Sequence, residues 1–420
     1  MASSRRPSLI PRHAERLLGR ALNQSRVVAV VGARQVGKTT LARRATEERN
    51  GTYLNLEDPG TLESVERDPE AVLASPRPLA IDEFQHGGDE LLRVIKGHVD
   101  RRRAPGQVLL TGSTRFTTVP MLSESLAGRV AILDLWPLSQ GEIRDGMDSF
   151  PSALFGPTAR LRTLSSSNLS RMDALRMLCA GGYPAVHHLS GPARKRWYDS
   201  YVRTITQRDV RTFSRMQDVA ALHRLLRLLA ARTSQELNVS DVSKDLGIPR
   251  TTLTSYIPLL ETVFLVYRLP AWSTNLTSRV VKHPKLHFTD AGLAAELLGV
   301  GPKALVDPLS RVLGPLLETF VASEISRQIT WSRTLVDLYH FRGHNGPEVD
   351  LVLDARDGRV AAVEVKASST IQGKDFRGLD LMAERLGDRF RNGVVLYLGD
   401  RVVPFGPRRT AMPLSALWTL

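Results

Sequence analysis

Residues 27–40, VVAVVGARQVGKTT, constrain the fold of this chain more than any other stretch. Val27–Val31 is a run of apolar, mostly β-branched residues, the pattern of a central parallel strand covered on both faces. It runs into Gly32-Ala-Arg-Gln-Val-Gly37-Lys38-Thr39, which matches G-x-x-x-x-G-K-[ST]. In that pattern glycines let the backbone close tightly, so that successive N–H groups and the start of the next helix face phosphate oxygens. Gly32, Gly37, Lys38, Thr39 and Thr40 are therefore the candidate nucleotide-binding residues. Lys38 is expected to neutralise the β- and γ-phosphates and Thr39 to ligate Mg2+. The following LARRATEERN has the composition of the helix this geometry requires. The expectation is an α/β P-loop domain built on a parallel sheet, with ATP and Mg2+ as cofactors.

Such a site needs a second strand that ends in acid. PLAIDEFQ, residues 78–85, supplies one: Leu79–Ile81 reads as the strand, followed by Asp82 and Glu83. Asp82 is placed to hold Mg2+ through water, and Glu83 to polarise the attacking water as general base. The alternative is an exposed acidic pair in a turn. QVLLTGST (107–114) reads as a further short strand running into Thr111, whose hydroxyl either senses the γ-phosphate or caps a turn. Arg129 stands immediately before another expected strand, Val130–Leu135.

A chain of 420 residues exceeds what one hydrophobic core supports, so several domains are expected. The net charge of +14 and pI near 10.3 favour a polyanionic partner, nucleic acid above all. Of the 57 basic residues 9 are lysine and 48 arginine, a bias that genomic base composition also produces. Cys179 is the only cysteine, so an intrachain disulfide and a thiolate metal cluster are both excluded. The N-terminus lacks the apolar core of a signal peptide, and no run approaches the roughly 18 apolar residues that span a bilayer. A soluble, cytoplasmic protein without membrane insertion is expected.

After a Gly/Pro-marked boundary at GGYPAV (181–186), RKRWYDSYVRTITQRDVRTF places Trp197, Tyr201 and Ile205 at helical spacing. Lys195, Arg196, Arg203, Arg208 and Arg211 make that helix basic. In residues 236–272 a short helix (Val239–Leu246), a turn at Gly247 and a second helix from about Pro249 precede LVYRLPAW, a candidate wing strand. This resembles a winged helix-turn-helix, in which Arg250, Thr251, Thr252 and Ser255 would lie at the start of the DNA-reading helix. The same arrangement also serves as a protein-contact module. Further on, Glu318 lies on an expected helix, Asp350 on the strand Val349–Leu353, and Glu364 and Lys366 at the end of Val360–Val365. An acid followed by acid-x-lysine across a hairpin is the PD-(D/E)XK nuclease pattern. Asp350 and Glu364, with Glu318 as an additional ligand, would share Mg2+, and Lys366 would help activate water. A half-exposed hairpin shows the same alternation.

The succession GARQVGKTT, YLNLEDP, LAIDEFQ, LLTGST, SLAGRV, WPLS, GGYPAV, RDV, LHFTDAGL, LLETFVASEI, EVDLVL and VEVKAS resembles a large prokaryotic family. Its members join an AAA-type P-loop ATPase of the AAA+ superfamily to a C-terminal domain of unknown function with a PD-(D/E)XK-like pattern. The resemblance implies ATP binding through Gly37, Lys38, Thr39, Asp82 and Glu83. By analogy with ring-forming AAA+ ATPases it also implies that Arg129 reaches a neighbour's site as an arginine finger, which requires a homo-oligomer. The expected organisation is a P-loop domain (1–145), a helical lid or linker (146–225), a winged-helix-like segment (226–275) and a nuclease-like α/β domain (276–420). Three functions fit: an ATP-driven switch or motor acting on DNA, an ATP-gated metal-dependent nuclease, and an ATP-binding module for a protein regulator such as an antitoxin.

Overall fold

The computed structural model describes residues 9–113, 126–164, 166–209, 219–273, 283–307, 309–343 and 346–420. Arg211 and the side chain of Arg208 lie outside the described residues. The chain forms two compact units, one of residues 1–138 with 262–264, the other of 139–261 with 265–420. These are two units, where four segments are expected from the sequence.

The first unit is a five-stranded sheet flanked by helices. Its elements run α1 (His13–Gln24), β1 (Val27–Val31), α2 (Lys38–Glu47), β2 (Thr52–Asn55), α3 (Pro59–Arg67), α4 (Pro69–Leu73), β3 (Leu79–Asp82), α5 (Gly88–Arg101), β4 (Val108–Gly112) and β5 (Val130–Asp134). Strand order is β2-β3-β4-β1-β5, and every pair is parallel. All five residues of β1 are buried, as a strand covered on both faces must be. Because the strands are parallel, their C-terminal ends share one edge of the sheet. The loops after β1, β3 and β4 therefore meet there, where ligands of open α/β sheets bind.

The second unit opens with α6 (Gln140–Arg144), which is capped by a reciprocal box between Ser139 and Glu142. This segment belongs to the second unit for a specific reason. The Gln140 N–H donates to Glu324 at 2.9 Å, and Gln328 donates to Asp148 at 3.2 Å and to the Leu417 carbonyl at 2.6 Å. Glu324 and Gln328 are buried on a long helix and need these partners.

Next come α7 (Arg171–Ala180), α8 (Gly191–Thr204), α9 (Val219–Ala231), α10 (Val239–Leu246), α11 (Arg250–Thr262), β6 (Val266–Leu269), β7 (Lys285–Phe288), α12 (Ala291–Leu297) and α13 (Leu313–Ile329). The helical stripe expected at Trp197, Tyr201 and Ile205 is present: Trp197 stacks on Tyr201 at 5.1 Å, and Tyr201 and Ile205 are buried. The segments GGYPAV and LHFTDAGL meet at Asp290, which accepts the Gly182 N–H at 2.6 Å, the Leu293 N–H at 3.0 Å and the Tyr198 hydroxyl at 3.1 Å. Helices α10 and α11 are separated by Gly247, and β6 pairs antiparallel with β7.

The C-terminal part is a mixed six-stranded sheet of β8 (Val336–Arg342), β9 (Glu348–Ala355), β10 (Val360–Lys366), β11 (Phe390–Tyr397), β12 (Val403–Pro404) and β13 (Arg409–Pro413), in the order β12-β13-β11-β10-β9-β8. A further helix, α14 (Arg377–Leu386), packs Leu379 and Met382 into a core with Val352, Val360, Phe390 and Val395.

Candidate functional site

In the first unit the loop between β1 and α2 is held tight by two glycines. A Cβ at Gly32 would lie 2.2 Å from the Leu135 carbonyl oxygen, and Gly37 has φ of +101°, which favours glycine. Lys38 is buried, and its ammonium donates to the carbonyls of Gly32 at 3.0 Å and Ala33 at 2.9 Å. Thr39 and Thr40, the next residues of α2, are exposed at the rim.

Asp82 closes β3 and lies beneath this rim. It accepts the Thr39 hydroxyl at 2.7 Å, the Tyr53 hydroxyl at 2.5 Å and the Thr111 hydroxyl. The hydroxyl pair Thr39 and Tyr53 shares one carboxylate oxygen, and Thr111 takes the other. Thr111 is fully buried and directed at Asp82, so its hydroxyl aligns that carboxylate instead of standing at the loop surface. Glu83 follows with φ of +53°, a left-handed turn unusual for a residue with a side chain. That turn swings Glu83 away from the strand. Its carboxylate accepts from Gln85 and, at 3.4 Å, from the Ser113 hydroxyl.

Sequence reasoning missed Tyr53, Arg43 and Arg12. Burial, and then the bond to Asp82, push the Tyr53 hydroxyl up to about 12, so it stays a proton donor. The Arg43 guanidinium lies 4.4 Å over the Tyr53 ring. Arg12 donates to the carbonyls of Val36 at 2.7 Å and Trp136 at 2.8 Å, tying the phosphate-facing loop to the segment after β5. The motif YLNLEDP carried the Tyr53 signal, but nothing local shows which partner the ring reaches.

The oxygen donors of Thr39 and Asp82 suit Mg2+, which takes few protein ligands and completes its shell with water and phosphate. Among the described residues no group of three or more His, Cys, Asp or Glu is arranged to hold a metal alone. Arg129 is placed elsewhere. Its carbonyl accepts from Val27 N–H at the start of β1, roughly 16 Å along the strand from the loop. Its guanidinium is bidentate to Asp100, at 2.6 and 3.0 Å. Arg129 thus does not serve the site of its own chain.

The second candidate cluster is in the second unit. The Asp350 carboxylate accepts the Val365 N–H at 2.9 Å, which brings β9 and β10 together as the sequence pattern expects. Lys366 donates to Glu364 at 2.7 Å. Glu318, from α13, joins them through a residue the pattern did not include. The Lys285 ammonium, from β7, donates to Glu318 at 2.7 Å and to Asp350 at 3.4 Å. Burial works against the Lys285 charge, but Glu318 and Asp350 outweigh it and raise its pKa. Burial, then the Asp350 charge, pushes Glu318 well up and Glu364 to about 8. Of the helix-turn-helix candidates, Arg250, Thr251 and Ser255 are exposed and Thr252 is half-buried. The Ser255 hydroxyl bonds back to the Thr252 carbonyl at 2.8 Å.

Residues 24–144 match the family model described as an AAA domain. With the parallel sheet and the loop geometry, this makes the first unit an AAA-type P-loop domain. Residues 172–304 and 313–417 match two further models, each described as a domain of unknown function (DUF8612 and DUF4143). Uncharacterized proteins of Mycobacterium bovis and Mycobacterium tuberculosis are each 27% identical over 412 residues, covering 97% of this chain and 84% of the relative. Among solved structures, a Walker-type ATPase of Pyrococcus abyssi aligns with a TM-score of 0.41 and 16% identity over 70% of this chain and 97% of its own. AMPPCP-bound DnaA from Aquifex aeolicus aligns with a TM-score of 0.31 and 13% identity over 60% and 89%. Among the described residues no helix is long and apolar enough to cross a membrane.

Proposed function

We propose that this protein binds and hydrolyses ATP at the loop of residues 32–39 and uses the cycle to act on or with DNA. The observation that carries the reading is the approach of Thr39 to Asp82 at 2.7 Å directly beneath the glycine-bounded loop. Two neutral hydroxyls on one oxygen leave the Asp82 charge available to a cation arriving with the nucleotide. Thr39 and Asp82 would hold Mg2+ there, and the ion would supply charge neutralisation between the phosphates. Lys38 would exchange its carbonyl partners for phosphate oxygens. Glu83, turned out of the strand and steadied by Gln85, would accept a proton from the attacking water.

The DNA part rests on the +14 charge and on the exposed Arg250, Thr251 and Ser255 at the start of α11. The deciding experiment is phosphate release from ATP by the full chain, with and without duplex and single-stranded DNA, beside Lys38→Ala. Stimulation by DNA that vanishes in the variant is the expected result. Turnover indifferent to DNA would transfer the reading to a protein regulator. Absence of any Lys38-dependent turnover would sink the hydrolysis itself.

A further inference from the structure

The four residues that fit a nuclease pattern do come together, but with a fifth. Lys285 is 6% exposed and sits at the start of β7, where strand pairing with β6 fixes its backbone (Leu269 opposite Lys285). Two residues on, and therefore on the same side of the strand, His287 lies 3.3 Å from Thr319, which in turn bonds Thr233 at 2.7 Å. That face of β7 is thus packed along α13, and Lys285 is aimed at Glu318 by the same packing that buries His287. The ammonium is held by construction.

A divalent ion shared by Glu318, Asp350 and Glu364 would need oxygens of at least two of them converging on one point. The point between Glu318 and Asp350 is taken by the Lys285 ammonium, at 2.7 and 3.4 Å. The other Asp350 oxygen is committed to the Val365 N–H, and one Glu364 oxygen to Lys366. The second Glu364 oxygen is buried and accepts no hydrogen bond among the described residues. That single orphaned oxygen belongs to a carboxyl group already bonded to Lys366 and does not supply two converging protein oxygens. Two ammonium groups, Lys285 and Lys366, already face the three carboxyl groups, so the positive charge a divalent ion would bring is largely built in.

We infer that Lys285 is the resident cation of this cluster, that it occupies the position a divalent ion would require, and that the second unit is a metal-free relative of the nuclease pattern whose acids form an internal ion-pair network. The residues therefore do not fit a metal-dependent nuclease centre, and metal-activated water has no place there while Lys285 stays.

The test is Mn2+ binding to the nucleotide-free full chain, read from the free-ion electron paramagnetic resonance signal. Wild type, Asp350→Asn, Lys285→Met and the double variant are compared, and binding common to all four is background from elsewhere. The expected result is that wild type and Asp350→Asn give one isotherm. Lys285→Met should bind an additional Mn2+ at least about tenfold more tightly, a conservative reading of removing a positive charge from contact distance, and the double variant should lose it. A wild-type Mn2+ ion that disappears in Asp350→Asn overturns the inference, as does a folded Lys285→Met that gains none. Should Lys285→Met fail to fold, wild type against Asp350→Asn still decides: superimposable isotherms support the resident lysine and a difference refutes it.

Discussion

Lys38 and Lys285 are equally buried, at 5% and 6% exposure, yet they bond to opposite kinds of group. Lys38 donates to two backbone carbonyls of its own loop, while the carboxylate nearby, Asp82, is held by hydroxyls. Lys285 donates to two carboxylates. A carbonyl bond is a neutral resting place that a phosphate can outcompete, whereas a buried ion pair loses several kcal/mol when one partner leaves. The same residue types therefore make an open site in one unit and a filled one in the other. Burial alone does not distinguish the two. The partner of the lysine does.

An open site can be completed by a neighbour, and the largest expected effect tests that. If Arg129 exchanges Asp100 for a phosphate in an adjacent copy, Arg129→Ala lowers turnover by about 10³-fold or more while sparing ATP binding. Mixing Arg129→Ala with Glu83→Gln chains should then restore part of the activity. A mixture as inactive as its components would count against an arginine supplied by a neighbour. Glu83→Gln by itself should keep nucleotide affinity and cut hydrolysis by about 10²- to 10⁴-fold, the range for losing a general base. Loss of ATP binding in that variant would show that Glu83 supports the fold of the loop instead.

Tyr53→Phe is a finer probe of the contrast, because it removes one of the hydroxyls that hold Asp82. The variant should raise the Mg2+ concentration needed for half-maximal turnover by about 2- to 10-fold, the worth of one hydrogen bond, and leave the rate at saturating Mg2+ unchanged. An altered maximal rate with an unaltered Mg2+ requirement would detach Tyr53 from the metal side of the site.

Most of the first unit was legible because its chemistry is contiguous: strand, glycine loop, lysine and hydroxyl occupy residues 27–40, and β3 ends in Asp82. What escaped were contacts closed by topology. Arg12 reaches Val36 and Trp136, 24 and 124 positions away, and Tyr53 reaches Asp82 across 29. In the second unit the hairpin acids were found by their spacing, but Lys285 was not, since it arrives from 65 residues before Asp350. A signal existed. KLHF alternates charged or polar with apolar residues in a strand that is buried throughout, so its polar side chains had to find buried partners.

The smallest expected effect concerns pH and the stability of the second unit. Burial lowers the His187 pKa from 6.5 to about 4; Asp290 opposes the shift, while Arg194, His188 and Arg327 reinforce it. Because the folded value lies below the unfolded one, this contribution is fully present above pH 6.5 and is lost as the pH falls towards about 4. The ring is partly reached by solvent, so the effect is discounted to about 1 kcal/mol, or roughly 2–4 °C in Tm. Four of the five tryptophans, Trp197, Trp272, Trp331 and Trp418, belong to the second unit, so fluorescence-detected melting reports mainly on it. Between pH 6.5 and 4 the wild type should lose more Tm than His187→Gln, whatever the variant's starting stability. Parallel slopes would mean that His187 meets solvent freely when folded, and that Asp290 is satisfied by Gly182, Leu293 and Tyr198 without regard to the ring beside it.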